Sequence, residues 1–328
     1  MDNIAFVLHL ALAQFRASGS ENPVTKNLLL KLHRWTSLVF ALPLLAIILT
    51  GFILAFEPIA QISGITAHSV DAARVVELIR RYDPDGKARG VFINAAAQRL
   101  RFQGPGAPQI DLASGEQVTQ AADLADIFVW ARFNHERLLG QHWLVISSTV
   151  AMLVLMVMGI AMGFPRLRNN LAGWHKGAAW FTLPVILLCP LTALGMALGL
   201  TFSGAATAPQ GRPLSLPDAV RVVAQSRDLA SVISIVSRGG RVMARIYDGG
   251  ELRLYAVEAS GLTPLPRNWP RLIHEGNGAA MFTSPLNAVV SLVLLTLLVT
   301  GVASWWRRRS RLRQVRREAA AEPLKSAA

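Results

Sequence analysis

A long uncharged stretch near the amino end constrains this chain more than any other feature. From Trp35 to Phe56 the sequence contains no charged residue, and as a helix this run is long enough to cross a bilayer. Only 16% of all residues are charged, against roughly 25% in soluble domains. Three further apolar runs follow along the chain. The sequence therefore predicts a membrane protein with four transmembrane helices.

The apolar runs divide the chain into spans and the segments between them. We expect an amino-terminal cytoplasmic segment, a span–domain–span unit, a short cytoplasmic link, a second such unit and a basic tail. The predicted bounds are 1–24 for the first segment, 25–57 for transmembrane helix 1, 58–120 for the first domain, 121–164 for an outer helix running into transmembrane helix 2, 165–176 for the link, 177–201 for transmembrane helix 3, 202–283 for the second domain, 284–306 for transmembrane helix 4 and 307–328 for the tail, with disorder past 318.

The two long segments between spans share one pattern. Each begins with an amphipathic helix and continues with short alternating strands, which is typical of a small α+β domain. The predicted helices cover 71–82 and 215–225, and the predicted strands cover 90–96, 98–104, 231–237, 241–247 and 252–257. A turn followed by a further short strand is predicted over 111–118. The predicted fold is thus mainly α, a four-transmembrane-helix bundle made from a duplicated span–domain–span unit that carries two small α+β domains.

The placement of charge predicts the topology. The link has three basic and no acidic residues, and the tail from residue 305 has eight basic and two acidic residues. The segment 58–134 is balanced at eight and eight, and 202–283 has nine basic against six acidic residues. Basic residues near span ends mark the cytoplasmic side, so we expect both termini inside and both domains outside. No groove-reading motif accompanies the +13 net charge, so nucleic acid is not an expected partner.

Four histidines recur at equivalent points of the two halves. His33 and His175 open the first and third spans and are each followed by a basic residue. His135 and His274 precede the second and fourth spans and are each followed by a glutamate. The sequence separation within the second pair is nearly the same as that within the first. Such repetition indicates an internal duplication.

The predicted topology pairs these histidines by membrane face. His33 and His175 fall at the cytoplasmic end, and His135 and His274 fall at the outer end. Two histidines from different helices at one level are what bis-imidazole haem ligation requires, so two haems are expected. The only cysteine is Cys189, so any haem is held non-covalently by side chains such as these. The alternative is that duplication copied an interfacial histidine of no function.

The other residues near these sites have weaker patterns. His142 lies seven residues after His135, on the same face of the predicted helix, and is an alternative outer ligand. His68 is expected in a solvated loop, and His9 is incidental. Glu136 and Glu275 either tune the outer haem or lie in water. In the spans, Pro43 and Pro184 are candidate kinks.

Four ordered stretches of this chain resemble the PepSY-associated transmembrane family. They are LHRWTSLVFALPLLAIILTGFILAF, HERLLG with MGIAMGFPRLRNN, GWHKGAAWFTLPVILL, and HEGNGAA with VTGVASWWRRR, and the two outer domains resemble PepSY units through DLASGEQV and VEASGLTPL. The resemblance covers roughly residues 26–310. His33, His135, His175 and His274 fall on the family's histidine positions.

This resemblance implies a function and leaves an alternative. It implies haem b in a bacterial inner membrane and reduction of ferric siderophores on the periplasmic side, without a catalytic acid, base or nucleophile from the chain. The reductase domain fused to some relatives is absent, so the electron donor is expected to be a separate cytoplasmic or membrane molecule. Some PepSY domains bind or inhibit peptidases instead, so a non-catalytic scaffold or regulator of an envelope protein is the alternative.

Overall fold

The computed structural model describes residues 23–104, 107–118, 124–164, 168–205 and 213–326. The expectations for residues 1–22, including His9, lie outside this part of the chain. The chain packs as two compact units. The described residues within 46–146 and 188–292 form the unit that contains the described strands, which we call the sheet unit. The described residues within 23–45, 147–187 and 293–326 form the terminal unit.

The described residues are mainly helical. The α-helices are α1 (Pro23–Val39), α2 (Ala41–Leu54), α3 (Glu57–Ser63), α4 (Ala72–Tyr82), α5 (Leu124–Glu136), α6 (His142–Ala161), α7 (Leu171–Ala197), α8 (Leu216–Ser226), α9 (Trp269–Glu275) and α10 (Ala280–Ser326). Single 3₁₀ turns lie at Leu138–Gly140 and Leu229–Ser231.

Among the described residues, four stretches of helix are long and apolar enough to cross a membrane. They are Ala41–Ser63, His142–Ala161, Leu171–Ala197 and Ala280–Val315, with mean hydropathies of 1.8 to 2.4. A 20-residue helix is about 30 Å long, which matches the hydrocarbon thickness. The prediction of a multi-pass, mainly helical membrane protein with four spans is confirmed.

The helix bounds differ from the predicted ones in places. The first predicted helix is interrupted at Phe40, between α1 and α2. Pro43 explains this interruption, because proline has no N–H to donate to the carbonyl of Val39 four residues earlier. Pro184 lies inside the unbroken α7. At the carboxyl end α10 continues to Ser326, where we expected disorder past 318.

The outer helix and the second span are not one helix, contrary to the prediction for 121–164. α5 ends at Glu136 and α6 begins at His142. Between them Leu139 and Gly140 adopt positive φ angles of 53° and 77°, which a right-handed helix cannot contain. Gly140 tolerates this conformation because it has no Cβ.

The strands of both halves join a single sheet. They are β1 (Gly90–Asn94), β2 (Arg99–Phe102), β3 (Gln109–Asp111), β4 (Val232–Arg238), β5 (Arg241–Asp248), β6 (Glu251–Glu258) and β7 (Gly261–Pro264). The order is β3-β2-β1-β4-β5-β6-β7, and every neighbouring pair is antiparallel. β1 pairs with β4, with Val91 opposite Ile235, so the two segments expected as separate domains share one sheet.

One hydrophobic core lies under α4 and α8. Asp71 and Ser215 cap these helices by accepting from backbone N–H groups of the first turn, as their positions before each apolar pattern indicate. Their buried faces and the alternate residues of the strands form the core; the fully or nearly fully buried members include Val75, Leu78, Ile79, Val91, Leu100, Ile110, Val220, Val223, Ile235 and Ile246. Five predicted strands and both helices are confirmed. The short strand predicted within 111–118 is wrong, because β3 precedes the turn and Gln117 forms an isolated bridge with Ile110.

Candidate functional site

The sheet unit brings His135 and His274 together. His135 lies in the last turn of α5 and His274 lies in the last turn of α9. α9 is fixed at its start by Asn268, whose side chain accepts from the backbone of Arg271, and at its end by Gly276 in the left-handed conformation. The two imidazole ring centres are 6.1 Å apart, with the ring planes at 42°.

Helix α2 holds the ring of His135 through its Nδ1 atom. Nδ1 of His135 lies 3.0 Å from the carbonyl oxygen of Ile47 and 3.2 Å from the hydroxyl of Thr50. The Thr50 hydroxyl donates to the carbonyl of Ala46 at 2.8 Å, so it presents a lone pair to the imidazole. Because a carbonyl only accepts, Nδ1 carries the proton, and Nε2 is left with a free lone pair.

Helix α7 holds His274 in the same way. Nδ1 of His274 lies 3.0 Å from the carbonyl oxygen of Cys189 and 3.2 Å from the hydroxyl of Thr192, which donates to the Leu188 carbonyl at 2.6 Å. This anchoring of one ring nitrogen fixes the tautomer in which the other nitrogen binds a metal. Cys189 therefore contributes through its backbone.

A glycine makes room for the first of these rings. A Cβ atom added at Gly51 would lie 3.0 Å from Cε1 of His135, so the ring packs directly on bare helix backbone. The turn of α2 from Ile47 to Gly51 thus combines hydrogen-bond acceptors for Nδ1 with a flat surface for the ring.

The spacing of the two rings fits a shared metal ion. Two imidazoles on opposite sides of one metal have ring centres about 6 Å apart, because each metal–nitrogen bond is about 2 Å and each nitrogen lies about 1 Å from its ring centre. The measured 6.1 Å agrees with this requirement. The residues present therefore fit a haem iron, which His135 and His274 would hold together.

Burial favours the neutral form of His135 and His274. Burial, followed by the charge of His274, lowers the pKa of His135 to about 4. Burial also lowers the pKa of His274, against a smaller raising effect of Glu275. Neutral imidazole is the metal-binding state, so no proton has to leave these two side chains at neutral pH.

The terminal unit contains His33 and His175. His33 lies in α1 and His175 in the first turns of α7, close enough for their charges to interact. Nδ1 of His175 lies 2.9 Å from the hydroxyl of Thr300, which itself donates to the Thr296 carbonyl at 2.6 Å. A Cβ added at Gly301 would lie 3.5 Å from Cε1 of His175, so this ring also packs beside a glycine.

The two inner histidines differ in their hydrogen bonds. Nδ1 of His33 is buried and has no hydrogen-bond partner among the described residues. The backbone of Leu155 lies close to the His33 ring. Met158 and Thr300 are equivalent positions of the two halves, because their separation in the sequence equals that of His33 and His175. The first half therefore has a thioether where the second half has the Thr300 hydroxyl.

His142 and His68 do not share the arrangement of the four paired histidines. His142 is exposed at the start of α6, where its Nδ1 lies 3.0 Å from the Glu136 carbonyl oxygen. The predicted common helix face of His135 and His142 is therefore wrong, because the turn at Leu139 separates their helices. His68 lies outside the helices with its side chain 90% exposed, as expected for a loop residue.

The sequence did not predict the ion-pair network beside His135 and His274. Arg132 contacts Glu57, Glu136 and Glu275, and Arg245 also contacts Glu275. Glu136 is 57% exposed, whereas Glu275 is only 13% exposed, so the two glutamates that follow the outer histidines have different surroundings. The contacts between these residues could not be predicted from their spacing in the sequence, because the residues belong to four separate elements.

The site and the four spans together define a multi-pass membrane protein with paired histidines. The model of the PepSY-associated TM region matches residues 30–308, and the chain belongs to this family. None of the curated proteins compared with the chain matches it.

Proposed function

We propose that this chain is a haem-binding protein of the bacterial inner membrane that moves electrons across the membrane to reduce ferric iron, in ferric siderophores, in the periplasm. The observation that carries this proposal is the pair His135 and His274, whose ring spacing suits one metal ion and whose Nδ1 atoms are both anchored to helix carbonyls. Haem b, when bound, supplies one-electron transfer.

The chain's own residues orient the ligands and set the surroundings. Thr50 and Thr192 hold the outer imidazoles with Nε2 available, and Thr300 does the same for His175. Hydrogen bonds of this kind raise ligand basicity and thereby set redox potential. In this proposal His33 and His175 hold a second haem at the cytoplasmic end of the spans.

Equivalent contacts in the two halves support a duplicated span–domain–span unit with two PepSY-like parts. Ile47 and Cys189 supply the two carbonyls, and their separation in the sequence equals that of Thr50 from Thr192. His33 and His175 have the same separation again. The basic link and tail support cytoplasmic termini and a periplasmic sheet, where a ferric siderophore has access.

A visible spectrum and a haem count of the purified protein test this proposal. We expect about two haems b per chain, each low-spin. His135→Ala and His274→Ala should each remove the same one, while His142→Ala, which replaces an exposed histidine of the same region, should retain both.

The alternative function gives a different result in the same experiment. Colourless purified protein would overturn the proposal. Haem that stays bound when His33, His135, His175 and His274 are all replaced by alanine would also overturn it. A scaffold or regulator that binds a peptidase or another envelope protein would then be favoured.

A further inference from the structure

An ion-pair network made of other residues includes near neighbours in the chain of His135 and His274. Arg132 lies three residues before His135 on α5, about one helical turn away. Its guanidinium contacts Glu57 at the start of α3, Glu136 at 3.7 Å and Glu275 on α9 at 3.7 Å. One arginine thus connects three elements of the sheet unit.

Glu275, the neighbour of His274, is the second centre of this network. Its carboxylate contacts Arg132, Arg245 at 3.5 Å and Arg271 at 3.5 Å, and its side chain is only 13% exposed. A carboxylate this buried is stable only with such partners, because loss of one of them leaves an uncompensated charge.

The network also reaches the sheet. Arg245 and Tyr247 are alternate residues of β5 and therefore lie on the same face of the strand, while Ile246 between them is fully buried in the core. The Tyr247 hydroxyl donates to Gln61 at 3.2 Å, and Gln61 donates to Glu57 at 3.0 Å. β5 is thereby connected to both Arg132 and Glu275 through the face opposite the core.

Both outer histidines lie at the ends of short helices that need such support. α9 has 7 residues, and α5 ends at Glu136, just before the non-helical turn at Leu139. A short helix has little stability of its own, so its rotation is set by tertiary contacts. The planar guanidinium of Arg132 contacts the carboxylate beside His274 while lying one turn from His135, which fixes one helix against the other.

We propose that Arg132, through Glu275, is a positioning residue that sets the distance and the angle between the imidazoles of His135 and His274. The inference rests on the proposed function, in which these two histidines hold one haem. In that role Arg132 fixes the alignment of the two ligands, and β5 holds Arg132 in place through Glu275 and Glu57.

The test compares Arg132→Gln, Arg132→Lys and Arg221→Gln in the full-length protein. Arg221 forms an exposed ion pair with Asp218 on α8 and is the matched control. The readouts are haem count, haemin affinity and the EPR signal of low-spin ferric haem, which depends on the angle between the two imidazole planes.

For Arg132→Gln we expect outer-site haemin affinity to fall 10- to 100-fold, which is the usual effect of losing an outer-shell partner. The EPR signal of that haem should shift, and the inner haem should stay bound as an internal sign of folding. Arg132→Lys should restore part of the affinity, because it keeps the charge and loses the planar fork. Arg221→Gln should match the wild type.

Combination with His135→Ala separates this inference from the proposed function. Adding Arg132→Gln to His135→Ala should change neither haem count nor spectrum further, because the outer ligand is already lost. A wild-type signal for Arg132→Gln alone would overturn the positioning role, as would loss of the inner haem together with the outer one. Wild-type protein without haem would overturn the proposed function itself.

Discussion

At the scale of single residues, the candidate site is defined by what each imidazole Nδ1 contacts. Nδ1 of His135, His274 and His175 each lies within 3.2 Å of a threonine hydroxyl, whereas Nδ1 of His33 has no hydrogen-bond partner among the described residues. The four histidines are predictable from their repetition in the sequence. Their hydrogen bonds are not, because acceptors such as the Ile47 carbonyl belong to backbone that any apolar residue could supply.

The unequal inner pair gives a prediction about Met158. In the proposed function, we expect Met158→Thr to provide Nδ1 of His33 with the acceptor that Thr300 gives His175, and so to tighten binding of the haem that His33 and His175 hold. Thr300→Val should weaken inner haem binding by 10- to 100-fold. Haemin titration of each variant measures both effects, and Thr182→Val, at a threonine whose hydroxyl donates to the Ala178 carbonyl, is the control. Equal affinity in all of these variants would show that Nδ1 contacts have no influence at the inner site.

Gly51 gives a second prediction at this scale. A methyl group at Gly51 would lie 3.0 Å from Cε1 of His135. Gly51→Ala should therefore displace the ring and destabilise the folded structure around His135 by about 1–3 kcal/mol. Gly159→Ala is the matched control, since nothing lies within 4 Å of a Cβ added there. Haem retention during thermal unfolding compares the two variants, and equal retention would contradict the close packing at Gly51.

At the scale of secondary-structure elements, the pairing of β1 with β4 turns two sequence segments into one sheet. The alternation of apolar residues predicted five of the strands, and the apolar runs predicted the spans. The pairing of β1 with β4 was not predictable from the sequence. Apolar alternation identifies a strand, but it does not say which other strand pairs with its free edge. β3 and β7 were missed because each has only a few residues and lies next to or contains a proline, as at Pro264.

A designed disulfide tests the shared sheet. Phe92 and Ser234 are directly opposite on β1 and β4, so Phe92→Cys with Ser234→Cys should form a disulfide in a Cys189→Ser background. Closing the loop between residues 92 and 234 should raise the free energy of unfolding of the sheet unit by about 5 kcal/mol at most. Non-reducing electrophoresis after proteolysis between the two segments detects the bond. Phe92→Cys with Ser237→Cys is the control, and bonding there at the same rate, or no bonding at Phe92 and Ser234, would contradict the pairing.

At the scale of the whole molecule, the four spans and the charge distribution predict an orientation in the membrane. The basic link and tail predict a cytoplasmic side. The segments that form the sheet have a weaker basic excess, none over 58–134 and three charges over 202–283, and predict an outer side. The two histidine pairs belong to different units, one with the sheet and one with the chain termini. In the proposed function, electrons therefore enter at His33 and His175 and leave at His135 and His274.

Oriented vesicles test this direction of flow. A reductant is enclosed on the face that carries the tail, and an impermeant ferric siderophore is supplied on the opposite face. Ferrous iron should form with haem-loaded wild-type protein and with His68→Ala, because His68 is an exposed loop residue. His175→Ala should reduce the rate at least tenfold, because a hydrocarbon core about 30 Å thick is then crossed with one haem fewer. An unchanged rate in His175→Ala would place the inner pair off the path. An equal rate with reductant and acceptor exchanged would show that the outward direction is not built into the chain.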